Sequence, residues 1–168
     1  KILWYKLLYY IYLVILNKAV ARSRNIKIKK VILASDHAGF KLKEEIKNFL
    51  LKKGKNILDL GTKNTNSVDY PVFAHRLSKK MKKSNNHFGI LICGSGNGMD
   101  MTANKHKNIR AALCYSIKST KLSREHNNAN VMALGARFTK KKLALKCVNV
   151  FINTNFKGGR HLRRIKKI

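Results

Sequence analysis

Five times along this chain a short apolar, β-rich run gives way to a longer stretch with apolar residues at helical spacing. That alternation limits the fold more than any other feature. Ile28 to Ala34 is the first run, and Phe40, Leu42, Ile46, Phe49 and Leu50 mark the helix after it. Gly54 is a natural stop for that helix. Asn56 to Leu60 is the second run. A polar loop from Gly61 to Asp69 closes at Tyr70-Pro71, where the single proline suits the first turn of a helix expected to reach about Lys83. Phe88 to Cys93 and Ile109 to Cys114 are the third and fourth runs, with helices expected at Met99 to Lys105 and Ile117 to His126. Asn130 to Gly135 is the fifth, followed by a helix from Lys140 to Phe151. The basic tail, Gly158 to Arg164, is extended or short-helical. Strands alternating with helices in this way pair in parallel and are covered on both faces. The pattern predicts an α/β fold with a five-stranded parallel sheet.

The third run leads into the most informative stretch, Ile90-Leu91-Ile92-Cys93-Gly94-Ser95-Gly96-Asn97-Gly98-Met99. Three glycines at alternate positions let the backbone take positive φ and approach a ligand closely. The amides of such a loop and of the first turn of the next helix converge on one point, where a phosphate or a developing oxyanion fits. Cys93 stands beside that point, where a helix dipole and amide donors favour thiolate. Taken alone, the glycines favour an ordinary strand-to-helix turn over a buried cysteine, because glycine-rich loops are common.

In a parallel sheet, ligands bind beyond the carboxyl ends of the strands. Asp36 and His37 follow strand one, and Cys93 and Gly94 to Gly98 follow strand three. Arg137 follows strand five, and His126 with Asn127 ends the helix before it. All of these are expected on one rim. Singly, each has a plainer role: Asp36 as a helix N-cap, His126 as a helix C-cap, Arg137 as a solvated surface residue. Their joint placement favours a site.

Charge and cysteines narrow the class. The net charge is +30, from 37 Lys and Arg against 7 Asp and Glu, but the basic residues are spread over the whole chain. A specific nucleic-acid binder gathers them with aromatics on one face, so only nonspecific association with polyanions is expected. Cys93, Cys114 and Cys147 are odd in number and lack metal-ligand spacing, which fits free thiols in a reducing compartment, the cytoplasm. Asp36 and His37 alone make no metal site. No dinucleotide fingerprint with an acidic ribose partner is present.

Residues 1–26 differ from the rest. Ile2 to Leu16 is apolar and aromatic but spans only about 15 residues, short of the ~20 that cross a bilayer as a helix, so no membrane association is expected. Ala19-Val20-Ala21 resembles a signal-peptide cleavage site. A signal peptide, an amphipathic extension and translated upstream sequence all fit. The last is favoured, with the domain running from Lys27 to Ile168, because a thiol-bearing domain makes export unattractive.

The segments Ser35-Asp36-His37-Ala38-Gly39-Phe40, Val68-Asp69-Tyr70-Pro71, Ile92 to Met99, Ala103-Asn104-Lys105, Ile109 to Cys114, Arg124-Glu125-His126-Asn127, Ala129-Asn130-Val131, Ala133 to Arg137 and Phe156 to His161 together resemble type B ribose-5-phosphate isomerases and their galactose-6-phosphate isomerase relatives. They occur in that family's order from residue 30 onward. The resemblance implies a Rossmann-like three-layer sandwich that forms a homodimer or homotetramer with active sites at the subunit interface. It implies Cys93 as the base moving a proton between C1 and C2, and Gly94, Ser95, Gly96, Asn97 and Gly98, with Asn127, as binders of the enediolate. It implies His126 as the residue that opens the furanose ring, and Asp36 and His37 as contacts to sugar or phosphate. Arg137, Arg160 and Arg164 would hold the phosphate, some from the partner chain. One branch of the family carries Glu directly after Gly-Ser-Gly-Asn-Gly as its base and lacks the cysteine. Here Met99 occupies that position and Cys93 is kept, so only the cysteine can serve.

The residue types suit the chemistry independently. An enediolate needs preorganised donors. A thiolate can take a proton from a carbon acid, and a histidine can assist ring opening. Arginine's fork matches a phosphate dianion, whose binding energy orients the reacting carbons. No metal or cofactor is required. The sequence thus points to a ribose 5-phosphate/ribulose 5-phosphate isomerase of the non-oxidative pentose phosphate pathway. The alternatives are a six-carbon substrate such as galactose or allose 6-phosphate, and an inactive, basic nucleic-acid-binding module on the same fold.

Overall fold

The structure, a computed structural model, describes residues 30–81 and 87–168. The expectations for residues 1–26, for a domain start at Lys27, for Ile28 as the opening of the first strand and for a helix end at Lys83 lie outside these. The elements are β1 (Lys30–Ser35), α1 (Phe40–Lys52), β2 (Ile57–Asp59), α2 (Tyr70–Met81), β3 (His87–Cys93), α3 (Asn97–Asn104), β4 (Ala111–Leu113), α4 (Ile117–Asn127), β5 (Val131–Gly135), α5 (Lys141–Asn153) and α6 (Arg160–Ile165). The strands form one five-stranded parallel sheet in the order β2-β1-β3-β5-β4.

The strands read as unbroken apolar runs because both faces are covered. Val31 and Leu33 of β1, with Ile90 and Ile92 of β3, join Leu42, Ile46 and Leu50 of α1 and Ala144, Cys147, Val148 and Phe151 of α5 in one buried cluster. The alternate residues Ile32, Ala34, Leu91 and Cys93 join Phe73, Ala74 and Leu77 of α2 and Met99 and Ala103 of α3 in the other. Each fully buried leucine or isoleucine contributes roughly 1.5–3 kcal/mol. The result is the Rossmann-like three-layer sandwich.

Some boundaries differ from the expected ones for local reasons. Gly96 takes φ +86, and the chain turns directly into α3, so this helix starts at Asn97 rather than Met99. β4 is shorter than the run Ile109 to Cys114. The Asn104 side chain accepts from Ala111 N (2.9 Å) and donates to Ala111 O (3.1 Å), and Asn130 Oδ1 accepts from Arg110 N (2.8 Å), so side chains stand in for strand partners at the start of this edge strand. Gly54 ends α1 as expected, at φ +66. The tail turns at Gly158 and Gly159 into the short helix α6.

Beside β1, the buried Lys43 places Nζ 2.6 Å from Asp59 Oδ2 and 2.7 Å from Glu44 Oε1, and Lys47 lies 3.0 Å from the same Asp59 oxygen. Burial works against the Asp59 charge, but Lys43, the Gly61 N–H and Lys47 outweigh it and hold the carboxyl below its usual range. This cluster fastens α1 to the end of β2. No helix among the described residues is long and apolar enough to cross a membrane.

Candidate active site

The first half of the site lies at the carboxyl ends of β1, β3 and β5. Cys93 is the last residue of β3, paired with Gly135 of β5, and it is buried. Its Sγ accepts the Gly96 N–H at 3.1 Å, a donor of the kind that stabilises charge on sulfur. Glycine is required at 96 because φ is positive there and because a Cβ would come 2.5 Å from Leu113 Cδ1. Ser95 Oγ accepts from Asn97 N at 3.3 Å. The first-turn amides of α3, which have no partner inside their helix, open onto the same loop.

β1 and β5 bring the other groups of this rim to that loop. Asp36 N donates to Ile92 O (3.3 Å), and Asp36 Oδ1 accepts from Gly39 N (2.9 Å). Asp36 is therefore not the N-cap of α1, which is Gly39; it braces the turn before the cap. His37 Nδ1 accepts from Val68 N at 3.1 Å, which places the proton of the neutral ring on Nε2. Ala136 N and Arg137 N donate to Cys93 O (2.8 Å) and Gly94 O (3.0 Å). The Arg137 guanidinium lies flat enough on Gly94 that a Cβ there would come 3.2 Å from its Cζ. Asp36, His37, Cys93, Gly94 to Gly98 and Arg137 thus share one rim. It adjoins the β1/β3 boundary, where the strand order reverses and open α/β sheets bind ligands.

Tyr70 belongs to this rim and was not among the expected site residues. Its ring covers Gly98: a Cβ there would come 2.5 Å from Tyr70 Cζ and 2.9 Å from its hydroxyl. It stands in the segment Val68 to Pro71 that bears the family resemblance, where no site role attaches to it.

The remaining candidates are elsewhere, which corrects the expectation of a single rim. α4 runs antiparallel to the strands it connects, so its end, with His126 and Asn127, lies where β5 begins, not where it finishes. Only residues 128–130 separate Asn127 from Val131. Asn127 borders a groove of about 300 Å³ with Asn104, Ile109, Arg110 and Ala129, all at the amino edge of the sheet. At ~3.3 Å per residue, β5 alone puts roughly 13 Å between the two edges. The C-cap of α4 is Asn128 at φ 47, not His126. Arg160 and Arg164 reach this same amino edge on α6, where Lys157 N donates to Glu125 O (3.0 Å) and the His161 ring stacks on His126 with centroids 4.1 Å apart and planes 8° apart.

Arg124 holds this second half together. Its guanidinium sits between Phe88 (4.6 Å) and Phe151 (5.6 Å). It donates to Thr154 O (3.2 Å), Asn128 Oδ1 (3.1 Å) and Ala129 O. Burial, and then Arg110, lower its pKa to about 10, which still leaves it charged at neutral pH.

The profile of the ribose/galactose isomerase family matches residues 31–168. The chain belongs to that family. It is 38% identical over 141 residues to the ribose-5-phosphate isomerase B of Escherichia coli strain K12, an overlap of 84% of this chain and 95% of the other. A Thermotoga maritima ribose 5-phosphate isomerase superposes with a TM-score of 0.80 at 47% identity, over 82% of this chain and 95% of that one. The Mycoplasma genitalium ribose-5-phosphate isomerase B, solved with bound ribulose-5-phosphate, gives 0.80 at 45% identity, over 82% and 92%.

In this ribose/galactose isomerase the other two thiols are packing residues. Burial pushes Cys114 up to about 11 and raises Cys147 as well, so neither is ionised near neutral pH. Met99, in the first turn of α3, is fully buried.

Proposed function

We propose that this chain interconverts ribose 5-phosphate and ribulose 5-phosphate through an enediolate, at sites shared between two copies. The observation that carries this reading is Cys93, with the Gly96 amide on its sulfur, beneath a glycine loop at the head of α3. In the open aldose, the Cys93 thiolate takes the C2 proton and the electron pair moves to O1. The amides of Gly94 to Gly98, with the Asn127 amide, stabilise the developing oxyanion. The O2 proton then passes to O1, Cys93 returns its proton at C1, and C2 becomes the carbonyl. His126 opens the furanose by proton transfer to the ring oxygen. Arg137, Arg160 and Arg164 hold the phosphate, and Asp36 and His37 position the sugar.

The two edges of one sheet are too far apart for Cys93 and His126 of one chain to serve one five-carbon substrate. A two-fold dimer that sets the carboxyl edge of one copy against the amino edge of the other supplies both, and does so twice. Exposed Met101, Tyr115, Ile117 and Phe138, on α3, α4 and the loops after β4 and β5, are apolar groups that such a contact would cover. Three free thiols, Cys93, Cys114 and Cys147, suit a cytoplasmic enzyme.

Assay of ribose 5-phosphate, allose 6-phosphate and galactose 6-phosphate, each with and without chelator, tests the reading. Turnover of the five-carbon substrate, unchanged by chelator, is expected. No conversion of any of the three would leave a binding module on an isomerase fold, and loss with chelator would contradict the metal-free mechanism. Residues 27–168 form the working domain in this account. A chain starting at Lys27 should match the full chain in turnover and melting temperature, and an inactive or insoluble product would assign residues 1–26 to the enzyme.

A further inference from the structure

We propose that His161 is the positioning residue for His126: its ring, stacked on the His126 face, fixes the plane in which His126 exchanges a proton with the sugar ring. This rests on the ring-opening role given to His126 above.

Among the described residues no hydrogen bond from the protein reaches either nitrogen of His126, so both remain available to substrate. The same fact means that no hydrogen bond sets the ring's orientation. The stacked contact, 4.1 Å between centroids and 8° between planes, does so instead. It orients the ring without occupying a nitrogen, as the proposed chemistry requires.

The position of His161 is itself secured beside His126. Lys157 N donates to Glu125 O at 3.0 Å, and Lys157 Nζ lies 3.0 Å from Glu125 Oε2, so the residue before His126 anchors the segment that carries His161. Gly158 at φ +65 and Gly159 at φ +53 then turn the chain into α6, and His161 N donates to Gly158 O at 3.0 Å. Both glycines adopt a conformation that a side chain would strain. Around the His161 ring stand Arg160, Arg164 and Lys157, with Glu125 paired to Lys157. Desolvation first, then His126 and these cations, hold His161 below the ordinary histidine range. The stacked ring acts as a flat plate against His126.

The test is His161→Ala and His161→Phe, each run in both directions beside His126→Asn, with a trap for the open aldose in the ketose direction. His161→Ala should lower kcat from ribose 5-phosphate about 10-fold with KM little changed, because a mis-set proton donor slows only the step it serves. Starting from ribulose 5-phosphate, which cannot close the furanose, the rate should stay within about 2-fold of wild type. His161→Phe keeps a ring in the stack and should restore most of the loss. An unchanged aldose rate, an equal loss in both directions, a rise in KM acting through Arg160 and Arg164, or no rescue by phenylalanine would each overturn the proposal. If His126→Asn is selective for the aldose direction and His161→Ala is not, only the role of His161 falls. If His126→Asn shows no selectivity, the ring-opening role falls, and this proposal with it.

Discussion

Cys93→Ala should lose isomerisation in both directions by at least about 10³-fold, within the range expected when a general base is removed. Neither Met99 nor Cys114 can replace it. Met99 follows the loop but is an apolar, fully buried side chain, and the Cys114 thiol is pushed up to about 11 by burial in the opposite cluster. Binding of inorganic phosphate should survive the change, since the arginines assigned to it are untouched. Cys114→Ala and Cys147→Ala should keep near-normal turnover and lose only packing energy. The measurement is kcat with both substrates, together with phosphate binding by calorimetry. Near-normal turnover in the Cys93→Ala protein, with loss in Cys114→Ala, would displace the base from the glycine loop.

A second large effect is expected from a methyl group placed under that loop. Gly135, the last residue of β5, passes so close to the turn after β3 that a Cβ would stand 2.4 Å from Ser95 O and 2.7 Å from Ser95 C. The obstructing atoms are backbone, so no rotamer can relieve the contact. Ser95 must retreat by about 0.6 Å to reach even 3.0 Å. Gly135→Ala should cost about 1–3 kcal/mol of stability as an overpacked site. It should also lower turnover about 10²-fold, because Ser95, Gly96 and the hydrogen bond to Cys93 move together. Gly54→Ala provides the contrast. It meets nothing within 4 Å but sits at φ +66, so it should lose about 1 kcal/mol and no activity. Thermal melts and kcat on the same preparations separate the two outcomes. An undisturbed rate in Gly135→Ala would mean that the loop's geometry is not what drives the reaction.

The parts of the fold legible in the sequence are those where burial on both faces imposes a pattern. β1, β3 and β5 read as continuous apolar runs, and α1, α2 and α5 carry clear stripes. α4 carries no such stripe, because its buried residues are Thr120, Ser123 and Arg124 rather than aliphatics. The shortness of β4 depends on Asn104 and Asn130 bonding to backbone across the chain, which no periodicity encodes. Cys93 with its glycines, Asp36, His37 and Arg137 lie at strand ends, as their sequence positions predict. The same reading puts His126 and Asn127 on that rim, because the end of their helix is near β5 in sequence. Helix direction in a parallel sheet puts it at the start. Tyr70 and His161 lie in segments that bear the family resemblance, Val68 to Pro71 and Phe156 to His161, but their contacts with Gly98 and His126 depend on how those segments fold, which spacing does not give.

The separation of the two edges also gives the most direct test of a shared site. A Cys93→Ala chain and a chain carrying both His126→Asn and Arg160→Ala should each be nearly inactive from ribose 5-phosphate. Co-expressed with different tags and isolated as a mixed dimer, they form one site with both defects and one with neither, as an isologous interface requires. The mixed dimer should then turn over ribose 5-phosphate at about half the wild-type rate per dimer. A mixed dimer no more active than its two parents would contradict a site built from the carboxyl edge of one chain and the amino edge of the other.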